Sequence, residues 1–216
     1  MSLDEPPFVV VIAAPSGTGK TTLTHALVER NEGVVFSISA TTRAAREYER
    51  PGVDYHFVDD PEFDRMIECG ELVEWAEVHG ERYGTPRGAI EAALERGRTV
   101  VLDIDIQGAR QIRRAFPEDA VLIFVLPPSG EELNRRLAGR GTESEVERRR
   151  RIVNARRELP AVRDFDYVVL NDEFERAVRA LESILAAERR RVKRQRKLVR
   201  ELERLDRELG AILEGG

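Results

Sequence analysis

The stretch that decides the fold is Phe8-Val9-Val10-Val11-Ile12-Ala13, followed directly by Ala14-Pro15-Ser16-Gly17-Thr18-Gly19-Lys20-Thr21-Thr22. The apolar run predicts a buried β-strand. The small residues after it predict a tight loop, and Leu23, Ala26 and Leu27 then share one stripe of a predicted helix. A strand, a loop that contains glycines and ends in Lys-Thr, and a helix, in this order, predict a phosphate-binding loop.

This loop has the groups that we expect to bind the phosphates of a nucleotide. Gly17 and Gly19 allow backbone N–H groups to turn toward phosphate oxygens, and the helix N-terminus adds a positive dipole end. We expect Lys20 to reach the β- and γ-phosphates and the Thr21 hydroxyl to ligate Mg²⁺. Asp103, at the end of another apolar run, is the expected second Mg²⁺ ligand. The predicted ATP-binding residues of the loop are Ala14, Pro15, Ser16, Gly17, Thr18, Gly19, Lys20, Thr21 and Thr22.

Composition limits the class of protein. Of 216 residues, 41% are hydrophobic and 35% are charged, with a formal net charge of −5, which is typical of a globular domain. Cys69 is the single cysteine, so an internal disulfide and a cysteine metal cluster are excluded. The acidic balance disfavours nucleic acid as a partner, and the apolar runs are too short to span a membrane. Without a signal-peptide pattern at the N-terminus, we expect a cytoplasmic protein.

Apolar strands alternate with amphipathic helices along most of the chain. This rhythm predicts a single α/β domain with a parallel core sheet and helices on both faces. We assign its core to 8–36, 85–137 and 159–186, an α+β insertion to 37–84, a lid to 138–158 and a C-terminal helical extension to 187–216. Thr85 is the candidate N-cap of the helix that follows the insertion.

A single helix is predicted to run from Phe174 far past the core. Within it, apolar residues recur at spacings of four, three, four and three, which is a heptad seam: Leu198, Leu202, Leu205, Leu209 and Ile212. The seam spans only about two heptads, so two outcomes stay open. The helix either joins copies into a homo-oligomer or folds back on its own body. The basic run at 189–194 has no interleaved aromatic residues, so it does not indicate nucleic-acid binding.

Two groups of arginines could contact phosphates. In the insertion, Arg43 and Arg46 together with Tyr55 and Tyr83 could hold one phosphate, because guanidinium forks match phosphate oxygens. Near the glycine-flanked segment 138–142, Arg136, Arg140 and the run 148–151 indicate a mobile lid that stabilises charge on a transferred phosphoryl group. The alternative is a charged helix whose arginines pair with neighbouring glutamates. Some of the four consecutive arginines must be solvated, because a helix cannot aim all of them at one site.

Asp105-Ile106-Gln107-Gly108 matches the D-x-x-G pattern of GTPases. A GTPase also needs an Asn-Lys-x-Asp motif to recognise the base, and the sequence has none. We therefore set the GTPase interpretation aside.

Several widely separated motifs, in a fixed order, resemble those of the guanylate kinases. The resemblance is to the stand-alone bacterial type within the P-loop nucleoside monophosphate kinases, and it covers about residues 8–186. The motifs are Ala14-Pro15-Ser16-Gly17-x-Gly19-Lys20, Ser37-x-Ser39-x-Thr41-Thr42-Arg43-x-x-Arg46, Tyr55-x-Phe57-Val58, Glu74-x-Ala76, Tyr83-Gly84-Thr85, Leu102-Asp103-Ile104-Asp105-x-Gln107-Gly108, Pro127-Pro128-Ser129, Gly139-Arg140-Gly141-Thr142-Glu143 and Asn171-Asp172.

The resemblance implies a reaction and a set of site residues. It implies transfer of the ATP γ-phosphoryl group to GMP, and to dGMP, with Mg²⁺, giving ADP and the nucleoside diphosphate. Guanine would contact Ser37, Glu74, Thr85 and Asp105, and the GMP phosphate would contact Arg43, Arg46, Tyr55 and Tyr83. The implied catalytic residues are Lys20, Arg43, Arg136, Arg140 and Arg151. Asn171 would lie beside the ATP adenine.

Two rival functions remain at this level. One is a guanylate-kinase-like module that binds peptides without catalysis, a class in which phosphate loops are typically damaged. Here Lys20, Thr21 and Asp103 are intact, which favours an enzyme. The other is a related phosphate-loop kinase that acts on a different phosphorylated ribose compound, and Glu74 favours guanine over it.

Overall fold

The computed structural model describes residues 5–78, 80–138, 145–195 and 197–214. Its core is a five-stranded, wholly parallel sheet in the order β2-β7-β1-β8-β9. These strands are β1 Val9–Ala13, β2 Val34–Phe36, β7 Thr99–Asp103, β8 Ala120–Leu126 and β9 Tyr167–Leu170. The predicted parallel α/β core is thus confirmed.

Helices cover both faces of this sheet. They are α1 Lys20–Arg30 and α7 Phe174–Arg189 on one face and α3 Arg87–Glu95 and α4 Ile106–Ala115 on the other. Successive β1 side chains therefore alternate between two apolar clusters, with Val10 in the first and Val11 in the second. Because both faces are buried, β1 and β8 are continuous apolar runs instead of alternating ones. Beside this core, α5 Gly130–Ala138 packs against α6 Glu145–Glu158 through Leu133, Leu137 and Ala155.

A second, four-stranded sheet in the order β4-β3-β6-β5 is built mainly from the predicted insertion. Its elements are β3 Ala40–Thr41, β4 His56–Phe57, α2 Asp60–Glu68, β5 Leu72–Val78 and β6 Glu81–Pro86. Phe63 of α2 is fully buried and packs with Ala40 and Leu72 into a small core of its own. The insertion thus carries its own hydrophobic cluster, and this second layer contacts the parallel core through α4, which packs against β5.

Thr85 is not a helix cap, which corrects the sequence-based assignment. It lies in β6, directly opposite Glu74 of β5, and α3 begins two residues later with Pro86 as its N-cap. The Thr85 hydroxyl donates a hydrogen bond to Glu74. The position of Thr85 in β6, opposite Glu74, directs its hydroxyl to the buried carboxyl group, so tertiary pairing decided the role of this side chain.

The C-terminal segment is not the single long helix that the sequence predicted. The helix α7 ends at Arg189, a 3₁₀ turn follows at Val192–Arg194, and α8 covers Leu198–Glu214. At Arg191 the backbone is extended, with φ −62° and ψ 130°. The helical direction is therefore lost within the basic run.

A buried ion-pair network explains this break. Glu188, fully buried at the end of α7, accepts hydrogen bonds from Tyr167, Arg191 and Arg194. Arg194 Nη2 lies 3.1 Å from the Glu188 carboxylate, and its guanidinium lies 4.6 Å from the centroid of the Phe8 ring. Such contacts require the chain to turn back, because residues six apart on a helix do not face each other.

The apolar seam of α8 is largely exposed in the single chain. Leu202, Leu209 and Ile212 are 53%, 59% and 70% exposed. Across the described ranges, none of the helices combines the length and apolar character needed to span a membrane.

Candidate active site

The loop between β1 and α1 has the conformation that its glycines allow. Gly17 and Gly19 have φ of 87° and 89°, in the left-handed region that side chains rarely adopt. A Cβ atom at Gly19 would also lie 2.8 Å from Asn171 Nδ2, and one at Gly17 would lie 2.6 Å from Leu137 Cδ2. Close packing from both sides therefore fixes the loop, which leads into the N-terminus of α1.

Arg136 of α5 and Asn171, which directly follows β9, hold this loop. The amide of Asn171 donates to the Thr18 carbonyl at 2.7 Å, and Arg136 donates to the same carbonyl at 3.1 Å and to the Asn171 carbonyl at 3.0 Å. Glu132 accepts from Arg136 at 2.7 Å, and hydrogen bonds from Arg135 and Arg136 lower the pKa of Glu132 to about 2. Both predicted residues thus lie at the phosphate-binding loop.

Lys20 points across the end of the sheet to β7. Its Nζ lies 2.5 Å from Asp103 Oδ1 and donates to the Ile104 carbonyl at 2.7 Å. Thr21 and Thr22 follow in the exposed first turn of α1. The carboxyl ends of β1 and β7, which are paired neighbours in the sheet, therefore bring the predicted phosphate-binding lysine and the predicted metal ligand together.

Glu74 is a buried carboxyl group near this end of the sheet. It is only 4% exposed, and Thr85 Oγ1 donates to its Oε1 at 2.5 Å. Burial, with a smaller contribution from the negative charge of Asp105, raises the pKa of Glu74 to about 7, although the Thr85 hydrogen bond and the charge of Lys20 act in the opposite direction. A buried carboxyl with a raised pKa beside a phosphate-binding loop is a strong candidate for ligand recognition.

Ser37 and Asp105 lie on the core side of the same region. Ser37 is buried at the end of β2, and its hydroxyl oxygen has no hydrogen-bond partner within the described residues. Asp105 caps α4 by accepting from the Gly108 N–H at 2.8 Å. One carboxylate oxygen of Asp105 therefore has a structural role, which was not predicted from the sequence.

The predicted phosphate-binding group of the insertion is partly assembled. Arg43 Nη2 donates to both carboxylate oxygens of Glu49, at 2.7 and 2.9 Å, and the guanidinium lies over the Tyr55 ring, 5.3 Å from its centroid. The Glu49 hydrogen bond raises the pKa of Arg43. The rings of Tyr55 and Tyr83 meet edge to face at 5.9 Å. Arg46 is more exposed and donates to the Tyr48 hydroxyl at 3.1 Å.

The predicted lid arginines include residues of α6. Arg151 is half-buried in α6, whereas Arg140 lies outside the described residues. Arg149 and Arg150 are exposed, whereas Arg151 is half-buried. The consecutive arginines therefore do not all point in one direction, as expected for a helix.

Two acidic residues near the site were not predicted from the sequence. Glu49 forms an ion pair with the guanidinium of Arg43. A glutamate within a loop rich in arginine could have indicated this pair. Glu158 ends α6, and burial raises its pKa, with the charge of Asp105 adding to the rise and that of Lys20 opposing it. Nothing in the local pattern of α6 distinguishes Glu158 from the other charged residues, so only the tertiary structure brings it to the site.

A phosphate-binding loop on a parallel sheet, with an α+β insertion facing it, defines the fold of the P-loop nucleoside monophosphate kinases. Within that class, the sequence profile of the guanylate kinase family matches residues 7–188, and the chain belongs to this family.

Individual relatives agree with this assignment. A guanylate kinase of Myxococcus xanthus is 52% identical over 88% of this chain and 90% of its own length. One from Anaeromyxobacter dehalogenans is 50% identical over 86% of this chain and 83% of its own length. The crystal structure of the guanylate kinase from Anaplasma phagocytophilum superposes with a TM-score of 0.79 at 37% identity, covering 94% of this chain and 96% of that chain.

Proposed function

We propose that this chain is a kinase that transfers the γ-phosphoryl group of ATP to GMP, giving ADP and GDP. The observation that carries this proposal is the buried Glu74 carboxyl, hydrogen-bonded to Thr85 and facing the region of Lys20 and Asp105. The family membership of the chain supports the same activity. We place the enzyme in the cytoplasm, where both nucleotides occur.

Glu74 would recognise the base. An ionised carboxylate accepts from the N1–H and the exocyclic amine of guanine together, whereas adenine has an acceptor at N1 and would leave the carboxylate unpaired. Ser37 supports this role, because its buried hydroxyl without a partner in the described chain can bond to a base edge. Thr85 and Asp105 would complete the guanine site.

Arg43, Arg46, Tyr55 and Tyr83 would bind the phosphate of GMP. A phosphate would compete with Glu49 for the guanidinium of Arg43, because its oxygens can accept from the same Nη2 group that donates to both Glu49 oxygens. The ion pair with Glu49 therefore keeps a charged arginine oriented until the substrate arrives.

ATP would bind at the loop of residues 14–22, with its adenine beside Asn171. Lys20 would contact the transferred phosphoryl group, and Arg136, Arg140 and Arg151 would stabilise its negative charge together with Arg43. A GMP phosphate oxygen is already an anionic nucleophile, so positioning and charge neutralisation suffice without a general base. The direct support is that Arg136 already touches the loop, through the Thr18 carbonyl.

The donors near Lys20 suit Mg²⁺. Thr21 offers a hydroxyl in the first turn of α1, and Asp103 offers a carboxylate at the end of β7, which are the hard oxygen ligands that this ion prefers. These two residues would hold the ion, which would supply charge neutralisation at the ATP phosphates.

The proposal includes the division of the chain and its assembly. The segment 37–84 would be the GMP-binding insertion, 138–158 the lid, and 187–216 an extension whose α8 joins copies into a homo-oligomer. The exposed seam of α8 supports the last point, because an apolar stripe of this size is unfavourable in water. We include dGMP as a substrate, because the groups assigned to recognition contact base and phosphate.

A nucleotide screen tests this function. Purified protein is assayed with ATP, MgCl₂ and each of GMP, dGMP, AMP, CMP and UMP, with ADP release coupled to NADH oxidation. We expect turnover with GMP and dGMP and far slower turnover with the others. No turnover with any of them would favour the peptide-binding class, and a preference for another phosphorylated ribose compound would favour the related kinase.

A further inference from the structure

Gln111 of α4 forms a pair of hydrogen bonds with the backbone of β5. Its Nε2 donates to the Trp75 carbonyl at 2.9 Å, and the Trp75 N–H donates to Gln111 Oε1 at 3.3 Å. Because β5 is the edge strand of its sheet, the outer side of its backbone has no strand partner. The Gln111 amide therefore replaces the residue of a neighbouring strand, from a helix of the other layer.

The same helix also contacts the side chain before Trp75. A Cβ atom at Gly108 would lie 2.5 Å from Glu74 Oε2, so a larger residue at this position would displace the carboxyl group. Gly108 and Gln111 are three residues apart and thus share one face of α4. This face of α4 packs against the Glu74 side chain at Gly108 and forms hydrogen bonds with the Trp75 backbone through Gln111.

A bulge in β5 makes this second contact important. Leu72 pairs with Pro86 and Glu74 with Thr85, so Val73 is an extra residue without a partner on β6. As a result Leu72, Val73 and Glu74 are all buried, whereas a regular strand would alternate. A bulge re-aims the side chains that follow it, and the direction of Glu74 depends on how the backbone just after the bulge is held.

We propose that Gln111 is a positioning residue for base recognition: its amide fixes β5 just after the bulge, and so aims the Glu74 carboxylate at the N1–H and amine of guanine. This inference rests on the proposed function of Glu74. Gln111 itself touches no substrate in this scheme, and the exposed ring of Trp75 plays no part in it.

The test replaces the amide without changing the length of the side chain. Gln111→Met removes both hydrogen bonds, and Arg114→Met is the control on the same helix, because the described structure gives the exposed Arg114 no hydrogen bond or ion pair. For both variants and the wild type, kcat and KM are measured with GMP, IMP and ATP, together with Tm. IMP lacks the exocyclic amine, so the ratio of GMP to IMP kcat/KM reports how well Glu74 is placed.

We expect Gln111→Met to lower kcat/KM for GMP by about tenfold, as a small misplacement of a recognition group does, and to lower the GMP/IMP ratio, while the KM for ATP stays within about twofold. Arg114→Met should match the wild type. If Gln111→Met folds poorly, Gln111→Glu serves instead. It keeps an acceptor for the Trp75 N–H but places a carboxylate against the Trp75 carbonyl, and the same changes are expected.

A lower Tm with an unchanged KM for GMP and an unchanged GMP/IMP ratio would overturn the proposal, because Gln111 would then only tie the two layers together. Absence of GMP turnover in the wild type would instead contradict the proposed function. The two failures are therefore distinguished within one experiment.

Discussion

Replacing Glu74 by Gln tests both base recognition and the free-energy cost of burying an ionisable carboxyl group. The side chain keeps its size and its contact with Thr85, but it loses the charge and one of its two acceptor oxygens. We expect kcat/KM for GMP to fall by roughly 10²-fold or more, with AMP use rising relative to GMP, because the amide offers guanine one acceptor and one misplaced donor.

The magnitude of the stability change follows from the pKa of Glu74, which burial raises from 4.5 to about 7. A raised pKa means that the folded state holds the proton more tightly than the unfolded chain does. Below about pH 4.5 the group is neutral in both states, and its burial has no ionisation penalty. As the pH rises toward 7 the unfolded chain ionises first, and the folded state loses about 3 kcal/mol relative to it.

Gln cannot ionise, so the variant escapes this loss. The difference in unfolding free energy between Glu74→Gln and the wild type should therefore grow in favour of the variant by about 3 kcal/mol from acid pH to pH 8. Urea unfolding at several pH values between 5 and 8 measures most of this change. Glu77→Gln is the matched control, because Glu77 lies exposed on the same strand.

The ionisation of Glu74 should also appear in the pH dependence of the wild-type kinetics. Guanine binds the ionised carboxylate, so kcat/KM for GMP should fall as the pH drops below about 7, and the Glu74→Gln variant should lack that titration. An unchanged GMP/AMP ratio in the variant, or a stability difference that does not vary with pH, would refute the reasoning.

Three further changes test other parts of the molecule. Lys20→Ala should lower kcat by about 10²-fold or more in the coupled assay, since it removes a charge worth about 3 kcal/mol to the transition state, while circular dichroism stays unchanged; wild-type kcat would contradict the role. Truncation after Gln195 removes α8 but keeps the Glu188 network, so light scattering should show a smaller assembly with kcat within about threefold of the full chain. A mass that falls only by the deleted residues would mean that α8 does not join copies. Arg194→Met leaves the buried Glu188 with fewer partners and should cost about 3 kcal/mol in urea unfolding, whereas Arg190→Met should cost little.

Much of the fold was determined by the sequence itself. The phosphate-binding loop, the parallel core strands and the helices between them follow from local patterns, because apolar runs, glycines and Lys-Thr act through neighbours in the chain. At the start of α5 the Ser129 hydroxyl accepts from the Glu132 N–H at 3.0 Å, an N-cap contact between residues only three apart in the chain. Motif order also indicated the family, which the comparisons confirm.

The hydrogen-bond and ion-pair partners of the site residues were decided only by the tertiary structure. Thr85 serves Glu74 and not a helix end, Asp105 caps α4, and Glu49 occupies Arg43. The break after Arg189 likewise depends on Glu188, whose partner Tyr167 comes from β9. These choices depend on which polar groups burial brings within hydrogen-bond distance, and since a buried group without a partner is costly, long-range pairing overrides the local preference that a sequence pattern reports.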